Sequence, residues 1–181
     1  FAAGNGDEPV ELDGYASYLK VIAVAATTDQ DRRAWYSDYG KAISIAAPSN
    51  GGRNGIWTTD VQGRRGYNPR DDWTGDFGGT SAACPLVAGV AALVLSANPR
   101  LTAPEVRDVL QSTADKVDPR GGRYDARGWS AYYGYGRVNA ARAVREARVR
   151  RKRPRRGLVL AARPTAVRLH VWELEQRIRD G

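Results

Sequence analysis

The sequence predicts an α/β domain in which helices cover a mostly parallel sheet. Two short apolar runs, at 20–28 and 42–48, contain β-branched residues and are bounded by polar, Pro or Gly residues, as expected for strands buried on both faces. Residues 81–97 are apolar nearly all round, which predicts a helix in the core rather than on the surface. Strands followed by helices at these spacings are typical of a layered α/β domain.

The segment before the long helix, residues 49–79, is rich in Gly, Asp, Asn and Arg and has little periodicity. It is predicted to be a long loop, and loops of this length in a compact domain are usually functional. Residues 1–5 are predicted to be a strand end that breaks into a Gly-containing turn. With 181 residues, the chain is long enough for one domain with its own core.

Two further helices are predicted downstream. One opens with Thr102, which forms a capping box with Glu105 and has Pro104 in its first turn. Its inward stripe consists of Val106, Val109 and Leu110. The other, shorter helix is predicted at 134–147, after a turn rich in Gly and Tyr.

The positive charge belongs to the end of the chain. The whole chain carries +8, and residues 142–181 hold 13 of the 28 Lys and Arg residues but 4 of the 20 Asp and Glu residues. The basic run at 148–156 is predicted to end the domain, which gives a domain at 1–147 and a basic linker at 148–181. Within that linker, an amphipathic helix is predicted from residues at helical spacing, namely Val167, Val171, Leu174 and Ile178. Because the body is close to neutral, nucleic acid is not expected as a partner.

The composition argues against several classes of protein. No run approaches the roughly 20 apolar residues that a membrane span needs, and no signal peptide is visible at the start. The chain begins at Phe1 and contains no methionine, so we expect an interior piece of a longer product. The single cysteine, Cys84, cannot form an internal disulfide and is interpreted as a packing residue of the long helix.

Ser81 is the candidate nucleophile. It lies where the long helix is predicted to begin, and a helix N-terminus offers free N–H groups and a partial positive charge to an oxyanion. Gly78 and Gly79, directly before it, allow a close approach of the backbone. The alternative is that Thr80 and Ser81 only cap the helix, and spacing alone leaves both interpretations open.

The stretch GGTSAACPLVAGVAALVLSANP closely resembles the nucleophile motif of the subtilisin-like serine proteases, Gly-Thr-Ser-x-Ala-x-Pro-x-Val-Ala-Gly, with every fixed position filled. FAAGNG resembles the oxyanion segment of the same family, and Pro48 and GYGRVNAARAV match its later landmarks. The resemblance covers residues 1–147. It implies a subtilisin-like three-layer α/β fold whose N-terminal half is missing from this chain.

The resemblance implies that Ser81 is the nucleophile and that the Asn5 side chain donates to the oxyanion. Further substrate-binding positions that it implies are Ala3, Gly4 and Thr80. In this family the triad follows the order Asp, His, Ser, and the first two lie upstream of the oxyanion asparagine. The chain is therefore expected to lack its base and to be inactive alone. The single histidine, His170, follows the serine and lies outside the resemblance, so it is not expected to be the base.

A finer resemblance, to the kexin and furin branch, comes from the Asp-Gly-Tyr that begins at Asp13 and the Trp-Tyr-Ser-acid that ends at Asp38. It implies that Asp13 lies at the floor of the pocket for the residue before the scissile bond, where a carboxylate selects Arg or Lys. It also implies that Asp38 helps to bind a structural calcium ion together with Asp7 or Glu8. The alternative is that Asp13 begins a turn and Asp38 caps one. No cofactor is expected for the chemistry itself.

The resemblance thus implies a serine endopeptidase that acts on peptides or proteins, with a preference for a basic residue before the scissile bond. Its implied partners are the substrate and the missing N-terminal half of the catalytic domain, and the family suggests secretion. Two alternatives stay open: a pseudoprotease that keeps the fold as a scaffold, and a binding module whose basic run holds nucleic acid or an acidic surface. A solvated linker is the favoured interpretation of that run.

Overall fold

The structure is a computed structural model that describes residues 1–152. Its elements are, in chain order, a 3₁₀ turn Val10–Leu12, β1 Ala23–Thr27, β2 Ile43–Pro48, β3 Ile56–Thr59, β4 Trp73–Phe77, α1 Thr80–Ala97, α2 Ala103–Ser112 and α3 Ala140–Lys152. The amphipathic helix predicted beyond residue 160 and His170 lie outside the described residues.

A parallel sheet forms the centre of the described chain. β1 and β2 pair in parallel, and every residue of β1 is buried. The N-terminal segment lies along the other side of β1, where Ala3 N donates to Val24 O at 3.0 Å. On the far side of β2, the Ala46 N–H donates to the Gly136 carbonyl at 2.9 Å. The two strands predicted to be buried are confirmed.

α1 packs on this sheet and on α3. Its buried residues are Thr80, Ala82, Ala83, Val87 and Val94. The expectation that this helix would be buried nearly all round is wrong for the described chain, because Leu86, Leu93 and Leu95 are 39%, 53% and 40% exposed. Part of the apolar surface of α1 is thus not covered by other residues of the described chain, 1–152.

By length and composition alone, α1 could cross a membrane. It has 18 residues with a mean hydropathy of 1.8, and 33% of these residues are buried in the structure. This differs from the expectation that no run is long and apolar enough for a membrane span. The contacts of α1 with β1, β2 and α3 are those of a core helix.

The capping box of α2 is confirmed, since the Thr102 N–H donates to Glu105 Oε2 at 2.7 Å. The predicted inward stripe of α2 is buried as well. The last helix is shifted from its predicted bounds of 134–147. It begins at Ala140 because the backbone just before it hydrogen-bonds to the edge of β2.

α3 also continues beyond the predicted end of the domain at residue 147. Within the basic run, Arg150 donates to Asp108 at 2.6 Å and to Glu146 at 2.7 Å. The first part of this run therefore packs as a helix, contrary to the expectation of a solvated linker. The domain boundary itself stays a prediction.

The segment predicted to be a long loop contains the antiparallel hairpin β3–β4. Its two strands are held by Trp57 and Trp73, whose ring centroids lie 4.9 Å apart. The Trp57 ring also covers Gly75, where a Cβ would lie 2.6 Å from the indole. Cross-strand aromatic pairs stabilise hairpins, but a mostly exposed hairpin lacks the alternation that reveals a strand in a sequence.

Candidate active site

Ser81 is the second residue of α1 and is exposed. The helix begins after Gly79, whose φ of 75° and ψ of 171° are accessible mainly to glycine. The Gly79 carbonyl accepts the first backbone hydrogen bond of the helix, from Ala82 N at 3.0 Å. The Ser81 N–H has no hydrogen-bond partner among the described residues, which leaves a donor at the positive end of the helix dipole.

Asn5 contacts α1 from the loop that follows the N-terminal segment paired with β1. Its Oδ1 accepts hydrogen bonds from the Thr80 N–H at 2.8 Å and from the Thr80 hydroxyl at 2.9 Å. A backbone N–H can only donate, so the Asn5 side-chain atom that faces Thr80 N must be the oxygen. The amide nitrogen, Nδ2, therefore points away from Thr80. The Nδ2 has no partner within residues 1–152 and lies 3.2 Å from the position that a Cβ on Gly79 would occupy.

The arrangement provides two N–H donors that have no partner within residues 1–152, Ser81 N and Asn5 Nδ2, at the N-terminus of α1, where the Ser81 side chain is exposed. Donors placed in this way stabilise the negative oxygen that forms when a hydroxyl adds to a carbonyl group. The structure thus brings the predicted nucleophile and the predicted oxyanion donor together through Thr80.

Asp38 fixes the loop that carries Asn5. It is 4% exposed, and its Oδ1 accepts hydrogen bonds from Gly6 N at 2.7 Å and from Glu8 N at 3.2 Å. Gly4 lies against the other carboxylate oxygen, and a Cβ there would come within 2.0 Å of it. Asp38 therefore caps this loop, which is the alternative to calcium binding that the sequence also allows.

The three predicted calcium ligands do not converge in the described structure. Asp7 forms an ion pair with Arg33, whose guanidinium also donates to the Ser37 carbonyl at 2.8 Å. Glu8 is exposed. Within residues 1–152, no group of three His, Cys, Asp or Glu side chains is close enough to hold a metal ion. Calcium ligation by Asp7, Glu8 and Asp38 stays a prediction that this arrangement does not fit.

Asp13 begins a turn. Its Oδ1 accepts hydrogen bonds from Tyr15 N at 2.7 Å and from Ala16 N at 3.0 Å. The side chain is exposed, and its Oδ2 has no hydrogen bond to the rest of residues 1–152. The turn interpretation therefore holds, while the free oxygen leaves the carboxylate able to bind a cation.

The other predicted positions lie at or below the surface of the site. The side chains of Ala3 and Thr80 are fully buried, and the Thr80 hydroxyl accepts a hydrogen bond from Gly4 N at 3.2 Å. These residues support the site by packing and hydrogen bonding, and their direct contact with substrate stays a prediction. Cys84 is partly buried and packs against the core, as expected.

Three polar residues that the sequence did not single out surround Gly79. They are Tyr36, Ser49 and Asn50, and their side chains hydrogen-bond to one another and to the Gly79 backbone. The signal available in the sequence was weak: two polar residues directly follow a buried strand, at the edge where parallel strands end.

No histidine occurs in residues 1–152, because His170 is the only one in the chain. A histidine base for Ser81 is therefore not present among the described residues. These residues bring together the candidate nucleophile and the candidate oxyanion donors.

Comparison with known proteins shows extensive similarity. The family model for the subtilase family, Peptidase S8, matches residues 1–136. A calcium-dependent protease of Nostoc sp. is 54% identical over 156 residues, which cover 80% of this chain and 24% of that protein. The kexin of Candida albicans is 32% identical over 151 residues, which cover 80% of this chain and 15% of that protein. The chain therefore spans a quarter or less of the length of these relatives.

Solved structures show the same similarity. Fervidolysin from Fervidobacterium pennivorans, described as a keratinolytic enzyme related to subtilisin, gives a TM-score of 0.61 at 29% identity, over 80% of this chain and 22% of that one. A serine protease of Aeromonas sobria gives a TM-score of 0.75 at 23% identity, over 87% of this chain and 37% of that one. The similarity to the Aeromonas sobria protease shows a common fold.

Proposed function

The chain belongs to the subtilase family, and from this premise we propose that it carries the nucleophile and the oxyanion-binding groups of a serine endopeptidase. The observation that carries the proposal is the contact between the Asn5 side chain and Thr80. Through it, a free amide NH₂ group lies beside the N-terminus of α1, where Ser81 is exposed.

In the proposed reaction, Ser81 Oγ attacks the carbonyl carbon of the scissile peptide bond, and the carbonyl oxygen becomes an oxyanion. Ser81 N–H and Asn5 Nδ2 donate to that oxygen. The C–N bond then breaks, the amine leaves with a proton from the general acid, and an acyl-enzyme remains on Ser81. Water attacks the acyl-enzyme, releases the carboxylic acid and restores the serine hydroxyl.

In this proposal the general base is a histidine of another part of the catalytic domain. It takes the Ser81 proton and passes it to the leaving amine, while an aspartate orients it. The exposed apolar side chains of α1, among them Leu86, Leu93 and Leu95, support such an additional part, because exposed apolar surface of this kind often marks an interface. The chain alone is accordingly expected to be inactive.

A preference for Arg or Lys before the scissile bond is the finer part of the proposal. Similarity to kexins supports it, and Asp13 is the carboxylate that would select the cationic side chain. Its unpartnered Oδ2 is available for a charge-assisted hydrogen bond of the kind that a guanidinium group forms.

Against the alternative of a basic binding module, two side chains of the described part of the basic run make contacts within the fold. Arg150 is paired with acidic residues of α2 and α3, and Arg151 donates to the Ala97 carbonyl at 3.3 Å. These side chains contribute to packing of α3. A pseudoprotease scaffold is the competing outcome of the activity test.

The test is peptide hydrolysis by the intact protein that carries this chain. We expect hydrolysis by the unsubstituted protein and a loss of about 10⁶ in turnover in Ser81→Ala, the magnitude found for subtilisin itself. Cys84→Ala, three residues further along the same helix, is the matched control and should keep its activity. If the unsubstituted, folded protein hydrolyses no peptide, the pseudoprotease alternative replaces the proposal.

Calcium and location are tested separately. One relative is named a calcium-dependent protease, so calcium is proposed as a stabilising ion and not as part of the chemistry. A rise in the midpoint of thermal unfolding of the intact protein on replacing EGTA with calcium would support this, and an unchanged midpoint would contradict it. Secretion is tested by locating the protein in cells or in the medium.

A further inference from the structure

We propose that Tyr36, Ser49 and Asn50, here called the glycine clamp, are positioning residues that fix the Gly79 peptide and thereby aim the Ser81 hydroxyl. The inference rests on the proposed function, because aiming matters only if Ser81 reacts. It assigns a role in the reaction to three residues that do not themselves contact the reacting atoms.

The N–H of Gly79 is held by two side chains of the clamp. It donates to Asn50 Oδ1 at 3.1 Å and to the Tyr36 hydroxyl oxygen at 3.2 Å. The Tyr36 hydroxyl in turn donates to Asn50 Oδ1 at 2.7 Å, which sets the orientation of the amide. Burial raises the pKa of Tyr36, and hydrogen bonds with Ser49 and Gly79 only partly oppose this. The hydroxyl therefore stays protonated.

The carbonyl of Gly79 is held by the third side chain of the clamp. Ser49 Oγ donates to it at 2.7 Å, and Ser49 Oγ lies 2.9 Å from the Tyr36 hydroxyl oxygen. The same carbonyl starts α1 by accepting from Ala82 N. Both polar groups of Gly79 are thus held by side chains that lie together around Tyr36, which is 7% exposed.

The clamp offsets the freedom that two consecutive glycines give the chain. Gly78 lies so close to Asn50 that a Cβ would come within 1.8 Å of its side-chain carbon, and Gly79 occupies a left-handed conformation. Glycine samples many conformations in the absence of restraints. Because Ser81 follows only two residues after Gly79, loss of the clamp moves the nucleophile, and a misplacement of about 1 Å costs roughly 10²-fold in rate.

The test compares Tyr36→Phe and Ser49→Ala with Tyr124→Phe in the intact protein. Tyr124 is the matched control, because its hydroxyl donates to the Val117 carbonyl at 3.1 Å and does not touch the site. In each protein, kcat and KM for a peptide, the rate of inactivation by a fluorophosphonate and the midpoint of thermal unfolding are measured.

We expect Y36F and S49A to lower kcat and the inactivation rate by about tenfold, with KM within about twofold of the original value. Y124F should keep the original kcat while changing the unfolding midpoint about as much as Y36F does. A residue that served stability alone would change the midpoint without this selective loss of kcat.

Unchanged kcat in both clamp variants, or a loss that Y124F shares, would overturn the inference and leave the proposed function in place. A loss explained by a smaller folded fraction at the assay temperature would overturn it as well. If the unsubstituted protein failed to react with the fluorophosphonate, the proposed function would fail, and this inference with it.

Discussion

The side-chain oxygen of Asn5 accepts two hydrogen bonds from Thr80, one from its N–H at 2.8 Å and one from its hydroxyl at 2.9 Å. Through this contact a loop 75 residues upstream caps the first residue of α1, whose own N-cap, Gly79, has no side chain. The oxygen of Asn5 is bonded to Thr80, and its amide NH₂ group has no partner within residues 1–152. The candidate oxyanion donor thus contacts the buried residue that directly precedes the candidate nucleophile.

Replacing Asn5 with aspartate should separate these two uses. Asn5→Asp keeps an oxygen for Thr80 but removes the Nδ2 donor and adds a negative charge beside the oxyanion. We expect kcat of the intact protein to fall by about 10²–10³-fold, as for such a donor in subtilisin, with little change in the unfolding midpoint. A kcat that stays within about twofold of the original in folded N5D would show that Asn5 does not bind the oxyanion.

Thr80→Val should weaken both the fold and the reaction. It removes the hydroxyl that accepts from Gly4 N and leaves this part-buried N–H without a partner, which costs about 1–3 kcal/mol of unfolding free energy. Because the hydroxyl also donates to Asn5, kcat should fall as well. Thr113→Val is the control, since it removes a buried hydroxyl that bonds only to the Val109 carbonyl. Equal effects of both variants on kcat would contradict the account.

Asp13→Asn tests the selection of a basic residue. The asparagine oxygen can still accept the turn hydrogen bonds from Tyr15 N and Ala16 N, so the fold should be kept. Loss of the charge should lower kcat/KM for a substrate with Arg before the scissile bond by at least about 30-fold. A substrate with Leu at that position should be affected little. An equal change for both substrates would restrict Asp13 to its turn.

Asp115 should make the free energy of unfolding depend on pH under acidic conditions. Burial raises its pKa, but hydrogen bonds from Asn139, Arg142 and Arg137 outweigh this and hold the pKa below its ordinary value. The folded state therefore favours the charged carboxylate. Its contribution is present above the unfolded pKa of about 3.9 and is lost as pH falls through the lower folded value.

Asp115→Asn should therefore lower the unfolding free energy by about 1 kcal/mol at pH 7, a modest amount because solvent screens the pair. The difference from the unsubstituted protein should shrink as pH falls below about 4. Denaturant unfolding at a series of pH values measures this. A difference that stayed constant down to pH 2 would contradict the assignment.

The framework of the fold could be predicted from the sequence, and the subtilisin-like structural neighbours confirm it. β1, β2 and α2 were predictable because burial leaves continuous apolar runs and a capping box leaves a fixed spacing. The hairpin β3–β4 was missed because it is stabilised by the contact of Trp57 with Trp73 and not by an alternating buried face. The start of α3 was misplaced because residues 136–138 pair with β2 through backbone hydrogen bonds, and the local pattern of apolar residues does not reveal such pairing.

The site was predictable only in part. Ser81 and Asn5 were predicted from a family motif, and the structure places Asn5 against Thr80, which directly precedes Ser81. The glycine clamp was missed because Tyr36, Ser49 and Asn50 come together only in three dimensions. The calcium prediction did not anticipate Arg33, whose cationic side chain pairs with Asp7.

The most direct measurement is covalent labelling of the intact protein with a fluorophosphonate, followed by digestion and mass spectrometry. We predict a single equivalent of label on Ser81 and none in Ser81→Ala. No label on the folded protein, or label on a different serine, would contradict the claim that Ser81 is the nucleophile.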